Sequence, residues 1–276
     1  PLVLKEEKTE WEKGHGTRVE IEMEASYKKG RRSVDDYVEQ TALSNPHCRV
    51  LYSPPGQETI TYERAVHELP EEAKEIKPHP YGVELGRLMR MFQDSQDRHI
   101  STALKNDFSR LTPKVVEDIL KIAGVSPKAR PRDLDTPAIE RVHKAFTKVK
   151  IMAPPTNCLS PVGEEALLKG LRLRFKADYY DAVTRPPAVY RGNPFQVEVA
   201  LAHGGSLPAD ELIEVFRFAN RVPLQYQASA CAVTKAVLSV DWRSYGMQMS
   251  KGALPTGPMV LMLHIASVWV PFTSES

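Results

Sequence analysis

From Thr17 to Ala25 apolar and polar residues alternate strictly, Val19, Ile21, Met23 and Ala25 against Arg18, Glu20, Glu22 and Glu24, which predicts a half-buried strand. After the turn residues Lys29 to Arg32, the helical spacing of Val34, Tyr37, Val38, Thr41 and Ala42 predicts a helix with Ser33 as its N-cap. Arg49 to Tyr52 and Thr59 to Tyr62 flank Pro54-Pro55-Gly56 and read as a hairpin. A proline- and charge-rich stretch, Leu69 to Pro80, closes this first part.

The second part carries only the 3.6-residue period. Leu85, Leu88, Met89 and Phe92 form one stripe. Val115, Val116, Ile119, Leu120 and Ala123 form another, which opens at Thr112-Pro113 and stops at Gly124. Ile139, Val142, His143 and Phe146 form a third, with Thr136 as its expected cap and Pro137 in its first turn. After Pro154-Pro155 the character becomes mixed. Helices are expected over Gly163 to Phe175, Pro208 to Ala219 and Ala230 to Leu238, and a strand over Phe195 to Ala202. Met259 to Val270 is apolar at both alternating sets of positions, so it reads as a central strand needing cover on both faces, with the helices at 208–219 and 230–238 supplying cover on one side at least. The fold class is therefore α/β (α+β), with a helical insert between two mixed segments.

Composition narrows this little. With 42% hydrophobic and 26% charged residues, the 276-residue chain is neither disordered nor collagen-like and has room for two or three domains. The net charge of +2 hides an uneven distribution: residues 1–83 hold 12 Lys/Arg against 16 Asp/Glu, and residues 84–150 hold 14 against 9. The basic middle segment is either a solvated face or a surface for phosphates, with Lys144, Lys148 and Lys150 as the candidate DNA contacts. Cys48, Cys158 and Cys231 lie far apart and form no Cys-x-x-Cys pair, which fits a reducing, intracellular setting and argues against a zinc ribbon. Alternating charge from Lys5 to Lys13 argues against a secretory leader. The longest apolar run, Met259 to Phe272, is shorter than the roughly 20 residues of a membrane span, so no membrane partner is expected.

Candidate chemistry is sparse. Gly14-His15-Gly16-Thr17 is the one short Gly-rich element, and it has two readings. It is a tight turn entering the strand, or it is a loop in which bare glycine backbone and the Thr17 hydroxyl approach phosphate oxygens. Asn220-Arg221, at the end of the helix expected over 208–219, is read as structural. Trp242, Tyr245 and Trp269 are read as core residues. Thr184 to Pro187 reads as a rigid connector.

Longer strings carry a family resemblance. Lys13 to Glu22, Gly30-Arg31-Arg32-Ser33-Val34, Gln40-Thr41-Ala42, Asn45-Pro46-His47, Glu75 to Val83, Thr184 to Phe195, Phe218 to Leu224 and His264 to Ser276 occur in an order that closely resembles the B subunits of DNA topoisomerase VI. The resemblance implies three parts: residues 1–83 as the end of a Bergerat-fold (GHKL) ATPase domain, 84–158 as a helix-two-turns-helix domain, and 159–276 as a transducer. It further implies a type IIB topoisomerase in which two B subunits dimerise on ATP and Mg2+ and close over a captured duplex, while the topoisomerase VI A subunit cleaves DNA. It places the protein on DNA, in archaeal cytoplasm or a eukaryotic nucleus.

Only Gly14, Gly16 and Thr17 match the family's nucleotide contacts. The family's catalytic Glu, Mg2+-binding Asn and adenine site correspond to positions before Pro1, and its transducer lysine is expected after Ser276; Lys251 does not match that motif. No catalytic residue or metal ligand is therefore expected within these 276 residues, nor nucleotide held by them alone. Two other functions compete: a non-catalytic B-like scaffold or DNA-binding subunit of a break-forming complex, and a free DNA-binding module built on the helical insert.

Overall fold

A computed structural model describes residues 14–30 and 32–270. The first helix, α1 (Val34–Ser44), starts where sequence places it, with the Ser33 hydroxyl accepting from the Asp36 N–H. The expected hairpin follows as β1 (Val50–Tyr52) and β2 (Ile60–Tyr62), paired antiparallel. The alternating segment 17–25 is not a strand. It belongs to no regular element, and Val19, Ile21 and Met23 are left 67–76% exposed. An alternating pattern becomes a strand only beside a backbone that accepts its hydrogen bonds, and no described residue pairs with it.

Four helices make the second unit: α2 (Leu85–Asp94), α3 (Ile100–Asp107), α4 (Pro113–Ala123) and α5 (Thr136–Phe146). Their apolar stripes close on one core containing Leu88, Phe92, Leu104, Ile119, Val142 and Phe146. Thr112 caps α4 and Gly124, in the left-handed region at φ 64°, ends it. The cap of α5 is Asp135 rather than Thr136, its carboxylate accepting from Ala138, so Thr136 takes the first helical position and Pro137 the second. Helix α3 is not foreshadowed by periodicity, because its stripe is only Ile100, Ala103 and Leu104.

The third unit is a six-stranded sheet with helices on both faces. Helix α6 (Glu164–Arg174) precedes β3 (Tyr179–Thr184), β4 (Ala188–Tyr190), β5 (Asn193–His203), β6 (Glu214–Ala219) and β7 (Val222–Pro223). After α7 (Ala232–Ser239) and the small ribbon of β8 (Gln248–Met249) with β9 (Pro255–Thr256), the chain enters β10 (Met259–Ser267). The order is β3-β5-β10-β6-β7, with β4 also on β5, and β10 runs antiparallel to β5 and parallel to β6. As its two apolar sets require, β10 is central and buried on both sides. Val260 and Met262 meet Leu167 and Leu171 of α6, while Leu261 and Leu263 share a core with Val237 of α7.

The helix expected over 208–219 is instead a loop leading into β6. Leu212, Val215, Phe216 and Ala219 do have helical spacing, but a strand buried on both faces is a continuous apolar run that periodicity cannot separate from a helix. Val215, Phe216 and Phe218 suit a pleated surface better. Cover for the sheet therefore comes from α6 on one face and α7 on the other. Of the three aromatics expected in the core, Trp242 packs against the α7-side cluster, but Tyr245 is 76% and Trp269 55% exposed, the latter beneath the Arg87 guanidinium at 4.5 Å.

Candidate functional site at the joint between α1 and the sheet

The most constrained polar cluster lies where β5, β10, the β6–β7 turn and α1 meet. Glu198 on β5 stands directly opposite His264 on β10 in the antiparallel register, and both side chains are fully buried. A buried carboxylate is tolerable only when its lone pairs are all used. Here Oε1 accepts from the Gly163 N–H at 2.7 Å and the Thr184 hydroxyl at 2.9 Å. Oε2 accepts from the Val162 N–H and faces His264 Nδ1, both at 2.7 Å. Burial pushes the carboxyl up, but the His264 ring and the two backbone N–H groups outweigh it and hold it below the usual range.

The second nitrogen of His264 decides the tautomer. Its Nε2 accepts from the backbone N–H of Arg221 at 3.0 Å, so it carries a lone pair and the proton sits on Nδ1, donated to Glu198. Arg221 occupies the second position of a two-residue turn between the paired Ala219 and Val222, with φ 47° at Asn220 and 65° at Arg221, the geometry of a type I′ hairpin. Asn220-Arg221 is thus structural, as expected, but as a β-turn rather than a helix end. The Arg221 guanidinium donates to the Ser160 hydroxyl and the Pro161 carbonyl. Its own carbonyl accepts from Ser44 Oγ at 2.7 Å and Asn45 Nδ2 at 3.2 Å, at the C-terminal end of α1. One turn therefore bonds α1, the 160–163 loop and the centre of the sheet. At the other end of α1, the Tyr27 hydroxyl donates to Asp35 at 2.7 Å, tying the preceding coil to the helix.

The family description "Topoisomerase VI B subunit, transducer" matches residues 154–276, the stretch that contains α6, the whole sheet, Glu198, Arg221 and His264. The type 2 DNA topoisomerase 6 B subunit of Methanococcoides burtonii is 49% identical across all of this chain, which covers 44% of that relative. The same-named proteins of Methanosarcina barkeri and Archaeoglobus fulgidus are 46% and 39% identical across all of it, with 45% and 46% of their lengths covered. The chain belongs to the topoisomerase VI B-subunit family.

The chain spans a little under half the length of these B subunits. Its sequence-nominated residues lie apart from the joint. Gly14, Gly16 and Thr17 are exposed coil, and nothing lies within 4 Å of where a Cβ would stand on either glycine. Gly16 has φ 149°, a conformation other residues rarely adopt, so the bare backbone is locally required. Lys144, Lys148 and Lys150 are exposed at the end of α5 and beyond it, with Lys144 in an i,i+4 pair with Glu140 at 3.5 Å. The structure brings neither set to the other.

Among the described residues no group of three or more His, Cys, Asp or Glu could hold a metal ion, so they do not fit Mg2+. Nor is any described helix long and apolar enough to cross a membrane. Sequence reading passed over Glu198, although a lone acid sharing the inward alternation of Ala200 and Ala202 is a signal in itself.

Proposed function

We propose that this chain is the coupling portion of a type IIB DNA topoisomerase B subunit, passing the state of an ATP site to the movement of duplex DNA. On this reading residues 1–83 are the end of a GHKL ATPase domain, 84–158 a helix-two-turns-helix domain and 159–276 the transducer. The complete protein uses ATP and Mg2+, pairs with a second copy of itself and with the topoisomerase VI A subunit, and acts on double-stranded DNA. Gly14, Gly16 and Thr17 are the residues that would meet nucleotide phosphate, through backbone N–H groups and one hydroxyl. Nucleotide binding supplies the free energy; this chain's own residues carry the displacement.

The observation that supports the reading is the run of bonds along α1. Tyr27 holds the coil that follows the glycine loop, and Ser44 and Asn45 hold the turn whose N–H is fixed by His264 and Glu198. A displacement at one end of a rigid helix reaches the other, and here the far end is bonded to the sheet rather than merely packed against it.

The test uses the complete B subunit in complex with its A subunit, the former carrying Ser44→Ala and Asn45→Ala together. Each lost bond removes about 1 kcal/mol, comparable to a typical coupling free energy. ATP binding should persist while ATP-dependent relaxation of supercoiled DNA falls by about tenfold or more. Full relaxation activity in a folded double variant would refute the coupling route.

A further inference from the structure

Two contacts join the helical unit to the sheet, and neither is part of a hydrophobic core. The first is at the root of the unit. His79, 3% exposed, accepts the Tyr81 N–H on Nδ1, so its Nε2 carries the proton and donates to the Met152 carbonyl at 3.0 Å. The Tyr81 hydroxyl donates to the Val149 carbonyl and accepts from the Ile151 N–H. The chain entering the unit is thus fastened to the chain leaving it. The β4–β5 turn presses on this knot, with Arg191 and Gly192, at φ 47° and 75°, between the paired Tyr190 and Asn193. A Cβ on Gly192 would lie 2.7 Å from His79 Nδ1, and one on Gly82 would lie 2.8 Å from the Arg191 carbonyl oxygen, so turn and root meet with no space between them.

The second contact joins two exposed side chains. Arg87 on α2 lies over the ring of Trp269, two residues beyond the end of β10, with 4.5 Å between its guanidinium carbon and the ring centroid. Both contacts border one cleft of about 490 Å3, lined also by Lys77, Asn220 and Ser267, so α2 touches the end of β10 through this pair and not by a packed face. The chain leading to Trp269 is held by few bonds. Ser267 exchanges two with the Asn220 side chain, both at 2.9 Å, and the Trp269 N–H donates to the Ser267 hydroxyl at 3.3 Å. Close backbone packing at the glycines has no rotamer to yield, whereas an exposed cation–π pair is weak. One contact is built as a pivot and the other as a release.

We propose that the helical unit is hinged on the β4–β5 turn and latched by the Arg87–Trp269 pair to the chain leaving β10, so that movement of the unit reaches the end of the central strand without passing through α1. When the pair parts, Trp269 is freed, and with it the short chain back to Ser267 and its bonds to Asn220. Asn220 adjoins Arg221 in the turn that the joint holds, so both routes end on the same two residues. The latch rests on the coupling reading for its purpose, and it gives the sheet a second input. Any ligand that holds the helical unit in another orientation opens the latch in proportion to its preference for that orientation.

The test is hydrogen exchange read by mass spectrometry on the complete B subunit, comparing the parent with Arg87→Met, which keeps most of the aliphatic stem, and with Arg87→Ala. Spin labels on non-canonical residues at the exposed positions Lys121 and His203 report the distance between helical unit and sheet in the same proteins. No ATP or DNA enters, so the result stands apart from the fate of the coupling route through α1. Both variants should speed exchange at the Ser267 and Trp269 amides by about two- to fivefold and broaden the label distance, while amides of α2 and of the middle of β10 keep the parent's rates. Exchange and distances superposable on the parent's, an effect of Arg87→Ala that Arg87→Met lacks, or labels that move while the Ser267 amide stays protected would each overturn the latch. Faster exchange throughout α2 or β10 would overturn it too, since the pair would then be holding the fold and not the orientation.

Discussion

Glu198 shows what a single residue contributes when its surroundings are built for its charge. Four donors converge on it at 2.7–2.9 Å, and they hold its carboxyl low against the opposing effect of burial. A folded value depressed below the unfolded one of about 4.3 means that ionised Glu198 stabilises the fold fully above that value, and that the contribution disappears as pH falls through the folded value. Glu198→Gln offers an NH2 where an acceptor is needed and should cost about 3 kcal/mol at neutral pH. Urea unfolding of both proteins from pH 7 down to pH 3 measures this. The gap between them should narrow below about pH 4.3, and a constant gap would mean that the charge carries none of the stability.

At the scale of elements, two glycines separate conformation from space. Gly124 ends α4 and Gly205 sits in the turn after β5, and their φ values, 64° and 63°, are nearly equal. A Cβ at Gly124 meets nothing within 4 Å, whereas at Gly205 it would lie 2.5 Å from the Lys176 carbonyl oxygen and 2.7 Å from the Ala177 Cα. Gly124→Ala should therefore cost only the left-handed backbone penalty of about 1 kcal/mol. Gly205→Ala adds a clash with main chain that cannot rotate away, for a total of about 3 kcal/mol or more. Equal losses in denaturant midpoint would show that the loop between α6 and β3 gives way more easily than its bonds to Gly205 and Ser206 indicate.

At the scale of the whole molecule, the basic end of the helical unit stands apart from the joint. Lys144, Lys148 and Lys150 are exposed there, so their substitution leaves the sheet and α1 untouched. If they touch phosphates, changing all three to Glu should weaken duplex binding at low salt. It should also flatten the dependence of log affinity on log salt by about 0.9 for each phosphate no longer neutralised. An unaltered slope would make them solvated charges, the other reading that the sequence allowed.

How much of this was legible in advance depends on the range of the interactions that decide it. The Ser33 cap of α1, the hairpin around Pro54-Pro55-Gly56, the Thr112 to Gly124 limits of α4 and the central placement of β10 follow from neighbours a few residues apart or from one strand's own pattern. The family, too, was carried by contiguous strings. Segment 17–25 and β6 were misread because a strand exists only through its partners, and its alternation or apolar run does not name them. The joint was beyond reach for the same reason. His264 lies 66 residues from Glu198 and 43 from Arg221, and Ser44 lies 177 from Arg221. Sequence determined that an acid and a histidine would stand in apolar strands; only the register of β5 on β10 and the docking of α1 decided that they would satisfy one another.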